Sequence, residues 1–190
     1  MEEFARDKRY TYADWLTWPE DERWELIDGT PYLPAQPSVE HQSILGELFG
    51  QLHMFLKGKP CRVFLAPFGV RLNPCGGDDT ILEPDLAILC GQSELDKHGC
   101  KGAPDMVAEI LSPSTAARDK FHKFNCYLKA GVREYWIVDP DSRTVSAHVL
   151  TGGQYVVNVY GDGGQAPVSI LSGCVIDLRD LFQYNTSEEQ

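Results

Sequence analysis

The chain has 190 residues, 43% apolar and 24% charged, with a formal net charge of −11. That length is enough to bury one sizeable core, so a single domain over residues 1–190 is expected. With no run of about eighteen apolar residues, no membrane-spanning helix is expected, and the acidic balance counts against broad, sequence-independent DNA affinity, which rests on Lys and Arg neutralising phosphates.

One cleft can still act on nucleic acid, because a bound cation and a local basic cluster reverse the field there. The polar start MEEFARDKRY carries no signal-peptide pattern, which makes the cytoplasm the expected location. The cysteines are Cys61, Cys75, Cys90, Cys100, Cys126 and Cys174, and none forms a CxxC pair. They are expected to be reduced thiols packed as small hydrophobes; zinc, the alternative, lacks its usual ligand spacing.

Residues 11–18 (TYADWLTW) predict a short helix with Thr11 at its start and Pro19 after its end. RWELIDG, Arg23 to Gly29, predicts a strand that places Glu25 and Ile27 on one face, and Asp28-Gly29 is a hairpin turn. A return strand over 31–33 carries proline and belongs at an edge. Ser38 opens a helix in which Ile44, Leu45, Leu48, Leu52 and Phe55 recur at helical spacing until Gly58.

Two longer strands are expected next, Cys61–Leu72, with a bend at Pro67 and Gly69, and Ile81–Cys90. Gly91 to Ala103 reads as a polar loop. Asp105–Leu111 is a buried strand. A helix starting at Ser112-Pro113 or Ser114 runs to about Ala130, with Gly131 as its stop. Arg133–Pro140 is the next buried strand, and a β meander and CVIDLRDLF follow. The strand–helix–strand unit in the middle requires part of the sheet to be parallel. The fold expected is a mixed α/β (α+β) domain with additional β-hairpins.

Acids inside apolar runs need compensation. Asp85 follows Pro84 in ILEPDLAILC, and Glu109 sits in DMVAEIL. On neighbouring strands they would meet at one end, where like charges about 4 Å apart repel by roughly 4 kcal/mol at an effective dielectric of 20. Magnesium or manganese removes that conflict, and the Ile110 carbonyl offers a further hard ligand. Asp119, Lys123 and Tyr127 form one helical stripe. If it faces the acids, Lys123 orients a water or balances phosphoryl charge, and the helix start near Ser112–Thr115 favours an anion. Each residue also has a plain structural reading. Asp85 is then a turn acid, Lys123 a surface lysine, Glu25 a solvated strand residue and His41 a helix-end residue; only their joint occurrence points to chemistry.

These segments resemble a bacterial restriction-endonuclease-like family. The resemblance rests on PDLAIL, on GAPDMVAEILSPSTAARDKFHKFNCYLKAGVREYWIVDPD and on the upstream WELIDGTPYLPAQPSVEHQ, and it covers roughly residues 10–160. It implies the PD-(D/E)XK nuclease fold, a mixed sheet flanked by helices that uses magnesium-type ions, with Asp85 as first acid and Glu109 as second. The lysine of that pattern falls two residues after the second acid, where this chain has Leu111. The implied replacement is Lys123, with Lys120 as second choice. Glu25 and His41 match family motif positions and border the site.

The function expected is therefore a metal-dependent DNA endonuclease. Asp85, Glu109, Lys123 and Glu25 are its catalytic candidates, and Asp85, Glu109 and Ile110 its ligands for Mg2+ or Mn2+. The alternative is a catalytically silent homodimeric module that binds nucleic acid or protein, with the Val- and Tyr-rich strands after Asp139 as dimer surface. RNA, flap and junction substrates stay open at this level.

Overall fold

The computed structural model describes residues 4, 8–19, 22–73, 75–91, 94–112 and 118–183, the side chains of 94 and 118–120 excepted. The predicted first helix shortens to α1 (Tyr12–Trp15), and the Asp28-Gly29 turn joins β1 (Glu25–Ile27) to β2 (Thr30–Tyr32). Both turn residues take positive φ, 46° and 76°, as a tight hairpin requires. Helix α2 (Val39–Leu56) begins where expected, with the Ser38 side chain accepting the His41 N–H at 3.1 Å.

Each of the two long strands expected from the sequence divides in two. Cys61–Leu72 becomes β3 (Arg62–Leu65) and β4 (Gly69–Arg71), and Ile81–Cys90 becomes β5 (Ile81–Leu82) and β6 (Leu86–Leu89). The breaks fall at Pro67 and Pro84, which have no N–H to give a ladder. At each break the chain crosses from one sheet to another. The stretch read as a polar loop holds β7 (Glu94–Leu95) and β8 (Gly99–Lys101). Gly99 packs directly on the backbone of Gly69, where a Cβ would collide with the Gly69 carbonyl.

Strand β9 (Met106–Ile110) is followed by a π-helical turn, Arg118–Lys123, which leads into α3 (Phe124–Ala130). Gly131 closes α3 in the left-handed region, φ 83°. The expected helix start at residues 113–115 lies outside the described residues. The remaining elements are β10 (Glu134–Asp139), β11 (Thr144–Thr151), β12 (Gln154–Gly161), β13 (Gln165–Pro167), β14 (Val175–Asp177) and α4 (Leu178–Leu181).

Among the described residues the strands form a large sheet, β12-β11-β10-β9-β6-β3, a smaller one, β2-β1-β5-β4-β8-β7, and the β13-β14 pair. β9 and β10 are parallel across the helical crossover, as expected, whereas β6 and β9 are antiparallel. The fold is thus mixed α/β. Alternation along β9 assigns its two faces. Met106, Ala108 and Ile110 join the core under α2, while Val107 and Leu111 join the core under α3 and the smaller sheet. Glu109 falls on this second face.

The thiols are a correction. Cys61 and Cys90, one step beyond the Arg62–Leu89 pair of β3 and β6, are joined by a disulfide, with their Cα atoms 4.1 Å apart. The register that brings them opposite each other is invisible in the sequence spacing. Cys100, Cys126 and Cys174 are free and buried, as expected for packed thiols. Cross-linking closes a loop of about thirty residues, a constraint on the unfolded chain worth roughly 2–4 kcal/mol. A Cys61→Ser variant is expected to lose that stability in chemical denaturation under oxidising conditions. In excess dithiothreitol it should match the reduced wild type.

Candidate active site

Sheet register brings the two acids together. Leu86 pairs with Ala108, so one further antiparallel step sets Asp85 opposite Glu109. The Asp85 backbone carbonyl accepts the Ala66 N–H at 3.1 Å, and its side-chain Oδ2 accepts the Ile110 N–H at 2.8 Å. The carboxylate therefore takes over the ladder where Pro84 ends it, and Asp85 is fixed from both sides.

Glu109 is buried, and its Oε1 accepts from Lys123 Nζ at 2.9 Å and from the Tyr127 hydroxyl at 2.7 Å. Lys123 and Tyr127 are one helical turn apart, so the stripe read from the sequence does face the acid. The Asp119 and Lys120 side chains lie outside the described residues. Position 111 holds a buried leucine in the core beneath α3. The ammonium beside the acids thus comes from the helix. Burial and the nearby Glu109 carboxylate hold the Tyr127 hydroxyl well above its usual range, so it stays protonated and donates.

Glu25 is not solvated: it is 1% exposed on β1. Its Oε1 accepts from Lys123 Nζ at 2.8 Å and from the Glu83 N–H at 3.0 Å. Lys123 therefore bridges two buried carboxylates from two different sheets. An arrangement of this kind strongly resists loss of one partner, because an uncompensated charge would remain in the core.

His41 enters from the first turn of α2, with Nε2 3.0 Å from Asp85 Oδ2. An ionised carboxylate only accepts, so Nε2 carries the proton, and Nδ1 is buried with no partner among the described residues. Glu83 and Arg23, which the sequence reading did not single out, complete the wall as an ion pair at 2.9 Å. Burial raises the Glu83 carboxyl above its ordinary range, and Arg23 opposes part of that rise. The available signal was the run Glu83-Pro84-Asp85, two acids flanking a strand-breaking proline.

Arg23, Glu25, His41, Glu83, Asp85, Glu109 and Lys123 line one cleft of about 130 Å³. Four carboxylates (Glu25, Glu83, Asp85 and Glu109) face two basic side chains (Arg23 and Lys123) among its described residues, a formal excess of two negative charges. Among the described residues no three His, Cys, Asp or Glu side chains are gathered closely enough to form a complete metal cage. Two carboxylates with a charge excess of two nonetheless suit magnesium, which is held by one or two carboxylates, with water and substrate oxygens completing its shell. The hard oxygen donors fit that ion, and no thiolate enters the cleft to favour zinc.

The family described as "Putative restriction endonuclease" (Uma2) matches residues 11–179. The chain belongs to this family. Among solved structures, the Uma2 chain is similar to the crystal structure of "a putative nuclease belonging to DUF820" from Anabaena variabilis ATCC 29413, with 25% identity and a TM-score of 0.73. The match covers 91% of this chain and 97% of that one. No curated protein matches. The restriction-endonuclease-like resemblance and the mixed α/β fold of the Uma2 protein are thereby established. No helix among its described residues is long and apolar enough to cross a membrane.

Proposed function

We propose that this Uma2 protein is an endonuclease that hydrolyses DNA phosphodiester bonds with Mg2+ or Mn2+ as cofactor. The observation that supports this most is the placement of Asp85 opposite Glu109, one step beyond the Leu86–Ala108 pair of β6 and β9, with Lys123 on Glu109. An ion held by Asp85, Glu109 and the Ile110 carbonyl would supply Lewis-acid stabilisation of phosphoryl oxygens and an acidified water. Lys123 carries the fixed positive charge that meets developing phosphoryl charge. Glu25 holds Lys123 from the opposite wall, and Tyr127 fixes the Glu109 carboxylate. His41 orients Asp85. The same reading takes residues 1–190 as one nuclease domain working in the cytoplasm as a homodimer. The exposed Val156, Val157 and Val159 on edge strand β12 offer the dimer surface.

Supercoiled plasmid tests the reading. Nicked and linear forms should accumulate with magnesium or manganese and not with EDTA. If neither metal supports nicking, and calorimetric titration detects no manganese binding, the endonuclease reading falls. A homodimeric binding module on the same fold then takes its place.

A further inference from the structure

A second groove adjoins the acidic cleft and shares Arg23 and Glu83 with it. Its volume is about 370 Å³, larger than that of the cleft itself. Three of the four tryptophans of the chain line it: Trp15, half-buried, and Trp18 and Trp24, each 9% exposed and packed edge to face on one another. The fourth, Trp136, is fully buried in the core under α2. Leu16, 47% exposed, and the exposed Lys97 stand at the groove. His98 lines it too, and its buried Nε2 has no hydrogen-bond partner among the described residues. The aromatic walls are locally braced. Trp15 Nε1 donates to the Trp24 carbonyl at 2.7 Å, and Trp24 Nε1 donates to Glu22 at 3.0 Å.

Aromatic walls, a cation and an unpartnered ring nitrogen beside a phosphate-cleaving centre fit one kind of occupant. A base taken out of its stack offers a flat face to the half-buried Trp15 ring and to Leu16, and polar edges on the His98 side of the groove. We infer that this groove receives an unpaired base of single-stranded DNA next to the scissile phosphate, so that the substrate has single-stranded character. The inference rests on the nuclease reading of the adjoining cleft and names the substrate class for it. It also answers the charge problem. At a net charge of −11, phosphate attraction contributes little to affinity, and stacking, which is indifferent to charge, supplies it. A duplex keeps its bases stacked and offers none to the groove.

The tryptophans make the groove its own reporter. In EDTA, which prevents cleavage, intrinsic fluorescence of the wild type is titrated with an oligothymidylate, with an abasic oligomer of equal length and with a blunt duplex. Only the oligothymidylate should quench, and its affinity should fall about tenfold or more in Leu16→Glu and in His98→Ala. Both substituted side chains lie apart from the acidic cleft, so retained thermal unfolding confirms an intact fold. The inference is overturned if the oligothymidylate leaves fluorescence unchanged, if the abasic oligomer or the duplex quenches equally, or if both variants bind as the wild type does. Plasmid nicking without quenching sinks the groove alone. Quenching with no cleavage of the oligothymidylate in either metal supports the groove and sinks the nuclease reading.

Discussion

An Asp85→Asn variant is expected to lose plasmid cleavage by about a thousandfold or more, equivalent to some 4 kcal/mol of transition-state stabilisation. The amide has nearly the shape of the carboxylate but no charge, and a neutral oxygen is a poor ligand for a hard divalent ion. The structural duties of position 85 survive the change. The asparagine oxygen still accepts the Ile110 N–H, and the backbone carbonyl still accepts that of Ala66. Stability should therefore move by less than about 1 kcal/mol, within the ordinary cost of a retained hydrogen bond with a neutral acceptor. The decisive comparison is cleavage against thermal unfolding on one preparation. Equal nicking by wild type and variant would remove Asp85 from the chemistry. A collapse of both readouts would assign it a structural role instead.

That separation is possible because the two acids occupy positions that sheet geometry makes unusual, and this is also why they were legible. A carboxylate between Pro84 and an apolar strand, and another inside VAEIL, violate the pattern expected of a buried sheet, and local violations concentrate at functional sites. The Lys123–Tyr127 stripe was readable from helical spacing, which the π-helical turn before α3 leaves intact at those two positions. Tertiary placement was harder to read. A proline inside an apolar run signals a bend, but nothing local says that β3 and β4, or β5 and β6, belong to different sheets. Strands as short as β7 and β8 carry too few residues for alternation to register. The Cys61–Cys90 bond depends on a register that only the folded β3–β6 pair defines. Glu25 looked like a solvated strand residue because its burial comes from Lys123 and Glu83, more than fifty residues away in the chain. The tryptophan groove was hidden for the same reason. Residues 15–24 hold its indoles, but Pro67 and Lys97-His98 close it.

Replacing Lys123 by methionine should cost both stability and activity, and the two losses can be taken apart. Methionine fills much of the space of the lysine stem but leaves Glu25 and Glu109 facing each other without the ammonium that touches both. Removing one partner of a buried charge cluster costs about 3–5 kcal/mol. Chemical denaturation at neutral pH should report a loss of that order. Adding Glu25→Gln to the methionine variant removes one of the two charges outright. It should restore most of the stability. It should not restore cleavage, because no ammonium then faces the phosphoryl oxygens. A stable double variant that nicks plasmid as well as wild type would make Lys123 a purely structural counter-charge. One that is stable and inactive assigns the ammonium to the reaction itself.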